Sequence, residues 1–154
     1  MATTNVGTID VYLISARTDG WRVLTLQRAK TTRCPMAWET VHGRIEAGEE
    51  PEQAAVREVR EETGLEVARL YNVSVQPFYL HRTHTVELAV VFAAFVDPAA
   101  AVTLGDEHVR SEWLVPERAL ERFAWPRERD ALRDILLLLA GGDAGPVEDV
   151  LRVF

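Results

Sequence analysis

Glu58, Glu61 and Glu62 are spaced so that their side chains share one face of an α-helix. Like charges at these spacings destabilise a helix by roughly 0.2–0.5 kcal/mol per pair. Arg57 and Arg60 offset part of this repulsion, but a hard divalent cation with oxygen ligands offsets more of it. Because Mg²⁺ commonly binds one or two carboxylates together with substrate phosphates, the spacing indicates a metal ion held for phosphate chemistry.

The helix that carries these glutamates has clear ends in the sequence. Pro51 suits an early helical position and Gly64 suits a left-handed helix end, so the pattern predicts a helix over residues 51–63. At helical periodicity, Ala55 and Val59 fall on a different face from the glutamates. The helix is therefore expected to have one face for the core and one face of carboxylates.

A run of charged residues on a helix most often forms no more than a solvated face. The residues before the helix argue against that interpretation here. Gly43 and Gly48 bracket a short connection from strand-like residues 36–41 into the helix. Backbone carbonyls and N–H groups can face a ligand in such a glycine-containing loop. Loop and helix together favour a ligand site over a solvated surface.

Residues 43–65 follow the pattern G-x5-E-x7-R-E-U-x-E-E-x-G-U, in which U is aliphatic, and every specified position is met. This pattern resembles the signature of the Nudix family, whose members are Mg²⁺-dependent hydrolases of nucleoside diphosphates linked to another group. The match is specific because it fixes nine positions, four of them glutamates, at two separate spacings. The resemblance implies one domain over residues 1–154, with this Nudix box at 43–65.

The resemblance assigns the metal ligands within the box. It implies that Glu58 and Glu62 bind the metal, that Glu61 is a further ligand directly or through water, and that the backbone carbonyl of His42 is another donor. The cofactor would be Mg²⁺, with Mn²⁺ as an alternative.

The resemblance also implies three residues that act in the reaction. Arg57 would orient the glutamates through charge-assisted hydrogen bonds, with Glu49 as its partner. The E-H-x4-W-L arrangement at 107–114 resembles the bacterial nucleoside triphosphate and dihydroneopterin triphosphate pyrophosphohydrolase branch. Glu107 would then bind the metal or act on the attacking water as general base. Whether Glu61 or Glu107 takes the proton stays open.

Substrate-binding residues are expected outside the helix. By resemblance to the same branch, Arg28 would contact phosphate and His42 would line the substrate. Tyr79 and Trp125 are our candidates to stack on a nucleobase, since each lies near the end of a predicted element and an aromatic ring offers a sequence-tolerant face. The alternatives are a solvated strand end for Arg28, a hydrogen-bonded turn for His42, and core packing for the two aromatic residues.

The remaining segments predict the elements that position these groups. Asp19-Gly20 is a strong hairpin signal, and the apolar run at 90–96 suits a central strand covered on both faces. The patterns predict strands at 7–16, 21–28, 36–41, 66–80, 85–96 and 111–115, and helices at 116–123 and 126–140. The tail at 143–154 would be a short strand or helix that docks on the body. This order predicts an α+β fold, an α/β/α sandwich with a mixed sheet, as the resemblance also implies.

Composition limits the partners. A chain of 154 residues fits one domain. Its formal charge of −7 argues against a general binder of nucleic acid, which needs clustered Lys and Arg. The single Cys34 cannot form an internal disulfide, and neither a secretion signal nor a membrane span is evident, so we expect a cytoplasmic protein. The resemblance implies that homodimers are frequent, although nothing in the sequence marks an interface.

The leading hypothesis is a Mg²⁺-dependent enzyme that cleaves a pyrophosphate bond in a nucleoside triphosphate or a related nucleoside diphosphate compound. The alternative among enzymes is hydrolysis of a dinucleoside polyphosphate or of a nucleotide sugar such as ADP-ribose. A third hypothesis is a catalytically silent domain that binds nucleotide as a sensor, and a fourth is a purely structural protein.

Overall fold

Alternating apolar side chains on the central strands determine the layers of the fold. The structure is a computed structural model that describes residues 1–154. Strand β1 (Thr3–Arg17) buries Ile9, Val11 and Leu13 in one core, and Tyr12 and Ile14 in another. Since successive side chains of a strand point to opposite faces, β1 is covered on both sides.

The sheet has seven strands in mixed orientation. The other six are β2 (Gly20–Arg28), β3 (Trp38–Glu39), β4 (Val41–Arg44), β5 (Val67–Leu80), β6 (Thr85–Val96) and β7 (His108–Leu114). The main order is β3-β2-β1-β6-β5, with β4 added to β1 and β7 added to β2. Strands β1 and β6 pair in parallel, and the other pairs are antiparallel.

Helices cover both faces of this sheet. They are α1 (Pro51–Thr63), α2 (Pro116–Arg122), α3 (Pro126–Leu138) and α4 (Glu148–Leu151), the last preceded by a 3-10 turn at Gly145–Val147. Helix α1 packs on one core, and α2 and α3 pack on the other. The predicted α/β/α sandwich and the predicted central strand at 90–96, now within β6, are confirmed. No helix combines the length and the apolar character needed to cross a bilayer.

The segment between β2 and α1 differs from the sequence prediction. A single strand over 36–41 is wrong, because the chain pairs first with β2 through β3 and then with β1 through β4. The change of partner occurs at Thr40, whose N–H donates to the Glu128 carboxylate at 2.6 Å and whose hydroxyl donates to the Val11 carbonyl. Gly43 consequently lies within β4 rather than in a loop.

Four other predicted features can be compared with the structure. Helix α1 has the predicted bounds, and the β1–β2 hairpin closes at Gly20 as predicted. Strand β7 begins at His108, three residues earlier than expected, so that Glu107 directly precedes it. The tail docks through an isolated bridge between Arg152 and Tyr71.

Candidate active site

Helix α1 carries the carboxylates because both of its ends are fixed. At its start the Glu50 and Gln53 side chains form a reciprocal capping box, and at its end Gly64 adopts a φ of 69°. Ala55 and Val59 are buried in the core against the sheet. The carboxylate face is therefore held at the edge where β4 and the segment before β7 meet the helix.

Gly43 allows Glu58 to lie across strand β4. A Cβ atom added at Gly43 would overlap the carboxyl group of Glu58. The glycine of the box is thus required for close approach of a side chain, because no other residue leaves that space free.

Arg57 connects the loop to the carboxylate face. Its guanidinium donates to both Glu49 oxygens at 2.9 and 3.0 Å, to Glu58 at 2.7 Å and to Glu61 at 3.2 Å. It also donates to the Arg44 carbonyl at 2.8 Å. The contact predicted between Arg57 and Glu49 is present. The single positive charge of Arg57 cannot balance three carboxylates, so these side chains together keep a net negative charge.

Glu62 is a buried carboxylate that forms no ion pair with a lysine or an arginine, although the charge of Arg28 acts on it from a distance. The residue is 6% exposed, and its Oε2 atom is buried without a hydrogen-bond partner. Burial raises its pKa to about 10, and the charges of Glu39, Glu58 and Glu107 add to the shift. Ionising such a carboxyl is costly unless a cation is close. A divalent ion that prefers oxygen ligands fits this site, because it would replace the proton of the Glu62 carboxyl group.

The other two carboxylates of the helix face differ from Glu62 in their environment. Burial raises the pKa of Glu58 above its ordinary value, against the opposing effect of Arg57 and with Glu61 and Glu107 adding to the rise. Glu61 is 59% exposed in its side chain. The structure does not gather three such ligands around one point. Because Arg57 already donates to Glu58 and Glu61, a bound cation would compete with it for these two carboxylates.

Glu107 is positioned through the backbone. The segment that leads to it is bonded to the end of α1, where the N–H of Gly105 donates to the Glu62 carbonyl and that of Thr103 donates to the Thr63 carbonyl. The Glu107 carbonyl accepts from the N–H of Ala29 at 2.9 Å. The exposed Glu107 carboxylate is thereby held beside the end of β2, near enough to raise the pKa values of Glu58 and Glu62.

Arg28 points into a buried ion pair in this structure. Its Nη1 atom donates to Glu39 Oε1 at 2.7 Å, and the same oxygen lies 2.9 Å from His108 Nε2. Burial raises the pKa of Glu39, but hydrogen bonds from His108 and Arg28 outweigh burial and leave it below its ordinary value. Neither Glu39 nor His108 was predicted from the sequence to have a role of its own. A glutamate in a short strand gave no signal of burial.

A second polar cluster lies at His42 in β4, on the face of the sheet opposite to helix α1. Asp10 is fully buried, with His42 Nδ1 at 2.5 Å and Arg127 Nε at 3.3 Å from its two oxygens. Burial raises the pKa of Asp10, but the contacts with His42 and Arg127 lower it further than burial raises it. The Arg127 guanidinium lies 4.5 Å from the Phe78 ring centroid and 5.3 Å from that of Trp125. His42 and Trp125, both predicted to bind substrate, thus border one cluster.

Phe78, rather than Tyr79, faces this cluster. The Phe78 ring lies 6.2 Å from the His42 ring, whereas Tyr79 is half exposed and its hydroxyl lies 3.3 Å from His84 Nδ1. Adjacent strand residues point to opposite faces, so the two aromatic rings of β5 cannot serve the same pocket. Asp10, Phe78 and Arg127 were not predicted from the sequence. An aspartate within the apolar run of β1 was the available signal.

Comparison with known proteins agrees with this arrangement. The NUDIX domain model matches residues 5–135. The chain is 36% identical to the octanoyltransferase of Myxococcus xanthus over 128 residues, which cover 82% of this chain and 35% of that protein. It is 28% identical to the CTP pyrophosphohydrolase of Escherichia coli, covering 88% of this chain and 97% of that one. It spans 35–40% of the length of the first curated relatives that it matches.

A solved structure supports the same relationship. The dihydroneopterin triphosphate pyrophosphohydrolase of Escherichia coli superposes with a TM-score of 0.66 at 25% identity, covering 84% of this chain and 94% of that one. This is a protein of the branch that the E-H-x4-W-L arrangement resembles. Because the domain match spans most of the sequence and the layers of the fold agree with those of this relative, the chain belongs to the Nudix family.

Proposed function

We propose that this protein hydrolyses a phosphoric anhydride bond in a nucleoside triphosphate or a related nucleoside diphosphate compound, with Mg²⁺ or alternatively Mn²⁺ as cofactor. The buried Glu62 carboxyl carries the proposal, because it lies among further glutamates and its Oε2 atom has no hydrogen-bond partner within the chain. A site of this kind is expected to bind a divalent ion and, through it, phosphate.

Different residues of the site have different roles in the proposed reaction. Hydrolysis of a pyrophosphate needs neutralised phosphate charge and a water aligned with the leaving oxygen. When bound, the metal ion supplies charge neutralisation, and Glu58, Glu62 and Glu61 would hold it. Arg57 keeps Glu58 and Glu61 oriented through the contacts described above. Glu61 or Glu107, both exposed, would accept the proton of the attacking water.

The cluster at His42 would bind the part of the substrate that does not react. Nε of Arg127 is bonded to Asp10, and its two terminal nitrogens make no hydrogen bond within the chain. These nitrogens can donate to carbonyl or ring-nitrogen acceptors of a base, while Phe78 and Trp125 offer aromatic faces. We propose Phe78 in place of Tyr79 as the stacking residue of β5. Arg28 already forms an ion pair with Glu39, so it would contact a phosphate while keeping that pair.

A substrate screen tests the proposal. Purified protein with Mg²⁺ is incubated with nucleoside triphosphates, dinucleoside polyphosphates and ADP-ribose, and the products are identified by mass. We expect pyrophosphate or phosphate release from a nucleoside triphosphate, and loss of release in Glu62→Gln. The matched control is Glu66→Gln, which removes an exposed glutamate bonded to Arg60 and should leave turnover unchanged.

Unchanged turnover in Glu62→Gln would refute the assignment. Turnover of only a dinucleoside polyphosphate or ADP-ribose would replace the substrate class, and nucleotide binding without turnover would favour the sensor. The homodimer implied by the resemblance stays a prediction, which analytical ultracentrifugation of the same preparation measures.

A further inference from the structure

A buried row of polar side chains leads from the end of β2 to Glu62. Arg28, Glu39 and His108 come from β2, β3 and β7, and Glu62 comes from the last turn of α1. The side chain of His108 is fully buried, and those of Glu39 and Glu62 are each 7% exposed. We propose that His108 is a positioning residue, held by Glu39, that fixes the orientation of Glu62 for a divalent cation. This inference rests on the proposed function, in which Glu62 binds the metal.

Two unpaired atoms face each other at the end of this row. Nδ1 of His108 and Oε2 of Glu62 are both buried, and neither has a hydrogen-bond partner. They lie 4.0 Å apart, which is beyond hydrogen-bond distance. Buried polar atoms are nearly always bonded, so a small rotation of the carboxyl group that brings them together satisfies both. With Oε2 held by His108, the Oε1 atom of Glu62 is the oxygen left for the cation.

The imidazole is fixed from its other side. His108 Nε2 lies 2.9 Å from Glu39 Oε1, which also accepts from Arg28 at 2.7 Å. Arg28 and His108 are direct partners in the β2–β7 register, so the backbone holds both ends of the ion pair. Because Nε2 is committed to Glu39, the ring can present only Nδ1 to Glu62. Because ionised carboxylates only accept hydrogen bonds, the ring holds a metal-binding Glu62 by donating from Nδ1 while Nε2 donates to Glu39.

A purely structural role for the row makes a different prediction. If His108 and Glu39 only connect β2, β3 and β7, their loss lowers stability and leaves the metal affinity of the folded protein unchanged. If His108 orients Glu62, its loss weakens metal binding by about 10–100-fold, as is usual for groups that support a metal ligand.

The experiment measures Mn²⁺ binding to the full chain without nucleotide, from the electron paramagnetic resonance signal of free Mn²⁺, together with thermal unfolding. His108→Gln keeps a donor at the Nε2 position for Glu39 and has no atom at the Nδ1 position. His108→Asn places a polar atom at the Nδ1 position and loses the contact with Glu39. Thr25→Val is the structural control, because it removes a buried hydrogen bond to the Glu112 carbonyl on the same β2–β7 pair.

We expect Mn²⁺ affinity to fall at least about 10-fold in His108→Gln, to be closer to wild type in His108→Asn, and to be unchanged in Thr25→Val. Equal affinity of His108→Gln and wild type, or weaker binding by His108→Asn than by His108→Gln, would overturn the proposal. If His108→Gln does not fold, His108→Leu takes its place with the same expected loss.

Glu62→Gln separates this inference from the proposed function. Loss of Mn²⁺ binding in Glu62→Gln with full binding in His108→Gln would reject only the role of His108. Absence of Mn²⁺ binding by the wild-type protein, or full binding by Glu62→Gln, would reject both.

Discussion

The box glycine at position 43 and the glutamate at position 58 depend on each other through space. We expect Gly43→Ala to displace the Glu58 carboxyl group, because a Cβ atom at residue 43 would overlap it. Misplacing a reacting group by about 1 Å can lower the rate about 10²-fold, so kcat for nucleotide hydrolysis should fall by roughly that factor. Gly141→Ala is the control, since nothing lies within 4 Å of its added Cβ atom. If Gly43→Ala keeps the wild-type kcat, hydrolysis does not require the Glu58 carboxyl group to lie in this position.

Glu62 should make the metal-free protein less stable as the pH rises. Its pKa is raised to about 10 in the folded chain, against 4.5 for an ordinary glutamate, so between these values the folded state binds more protons than the unfolded state. The free energy of unfolding therefore falls with increasing pH across that window. Glu62→Gln removes this contribution, and we expect a smaller loss of stability between pH 6 and pH 9.

Urea denaturation in the presence of a chelator measures this slope for both proteins. Identical slopes for wild type and Glu62→Gln would contradict the raised pKa. The difference between the two slopes isolates the contribution of Glu62, because the other buried carboxyls, such as Glu128, are the same in both proteins.

Among the elements, the alternation of β5 decides which aromatic residue faces the proposed substrate site. Phe78 faces His42 and Arg127, while Tyr79 is on the opposite face. Base stacking on an aromatic side chain contributes about 1–3 kcal/mol, so Phe78→Ala should raise KM by roughly 5- to 150-fold with a smaller change in kcat. We expect Tyr79→Ala to raise KM less. A larger rise in Tyr79→Ala than in Phe78→Ala would restore Tyr79 as the stacking residue.

The elements differed in how well the sequence predicted them, for physical reasons. The bounds of α1 were predictable because local signals, Pro51 at the start and Gly64 at the end, determine them. The division of the segment before α1 into β3 and β4 was not predictable. It depends on Thr40 donating to Glu128, a residue 88 positions away in sequence. Contacts of that range leave no local pattern.

The same contrast applies to the candidate site. Glu58, Glu61 and Glu62 could be selected from their spacing along one helix. Glu39 and Asp10 each lie in a strand, and only the sheet brings them to His108 and to Arg127. The carboxylate face was therefore predictable from the sequence, whereas the polar clusters around Glu39 and Asp10 were not.

In the molecule as a whole, the proposed metal site and the core share helix α1. Val59 and Glu62 lie in successive turns, the first within the core against the sheet and the second at its edge. A ligand that binds only the folded state stabilises it by RT ln(1 + [L]/Kd), about 2.7 kcal/mol at 100 times Kd. For a chain of this size, saturating Mg²⁺ should raise Tm by roughly 5–10 °C.

The rise should depend on pH and on Glu62. Because the cation displaces a proton from a carboxyl group whose pKa is raised to about 10, we expect the increase in Tm to be larger at pH 9 than at pH 6. Scanning calorimetry with and without Mg²⁺ measures both values, and Glu62→Gln should show little increase at either pH. An equal rise in wild type and Glu62→Gln would mean that Mg²⁺ stabilises the fold from a different site, and that α1 does not link cation binding to folding.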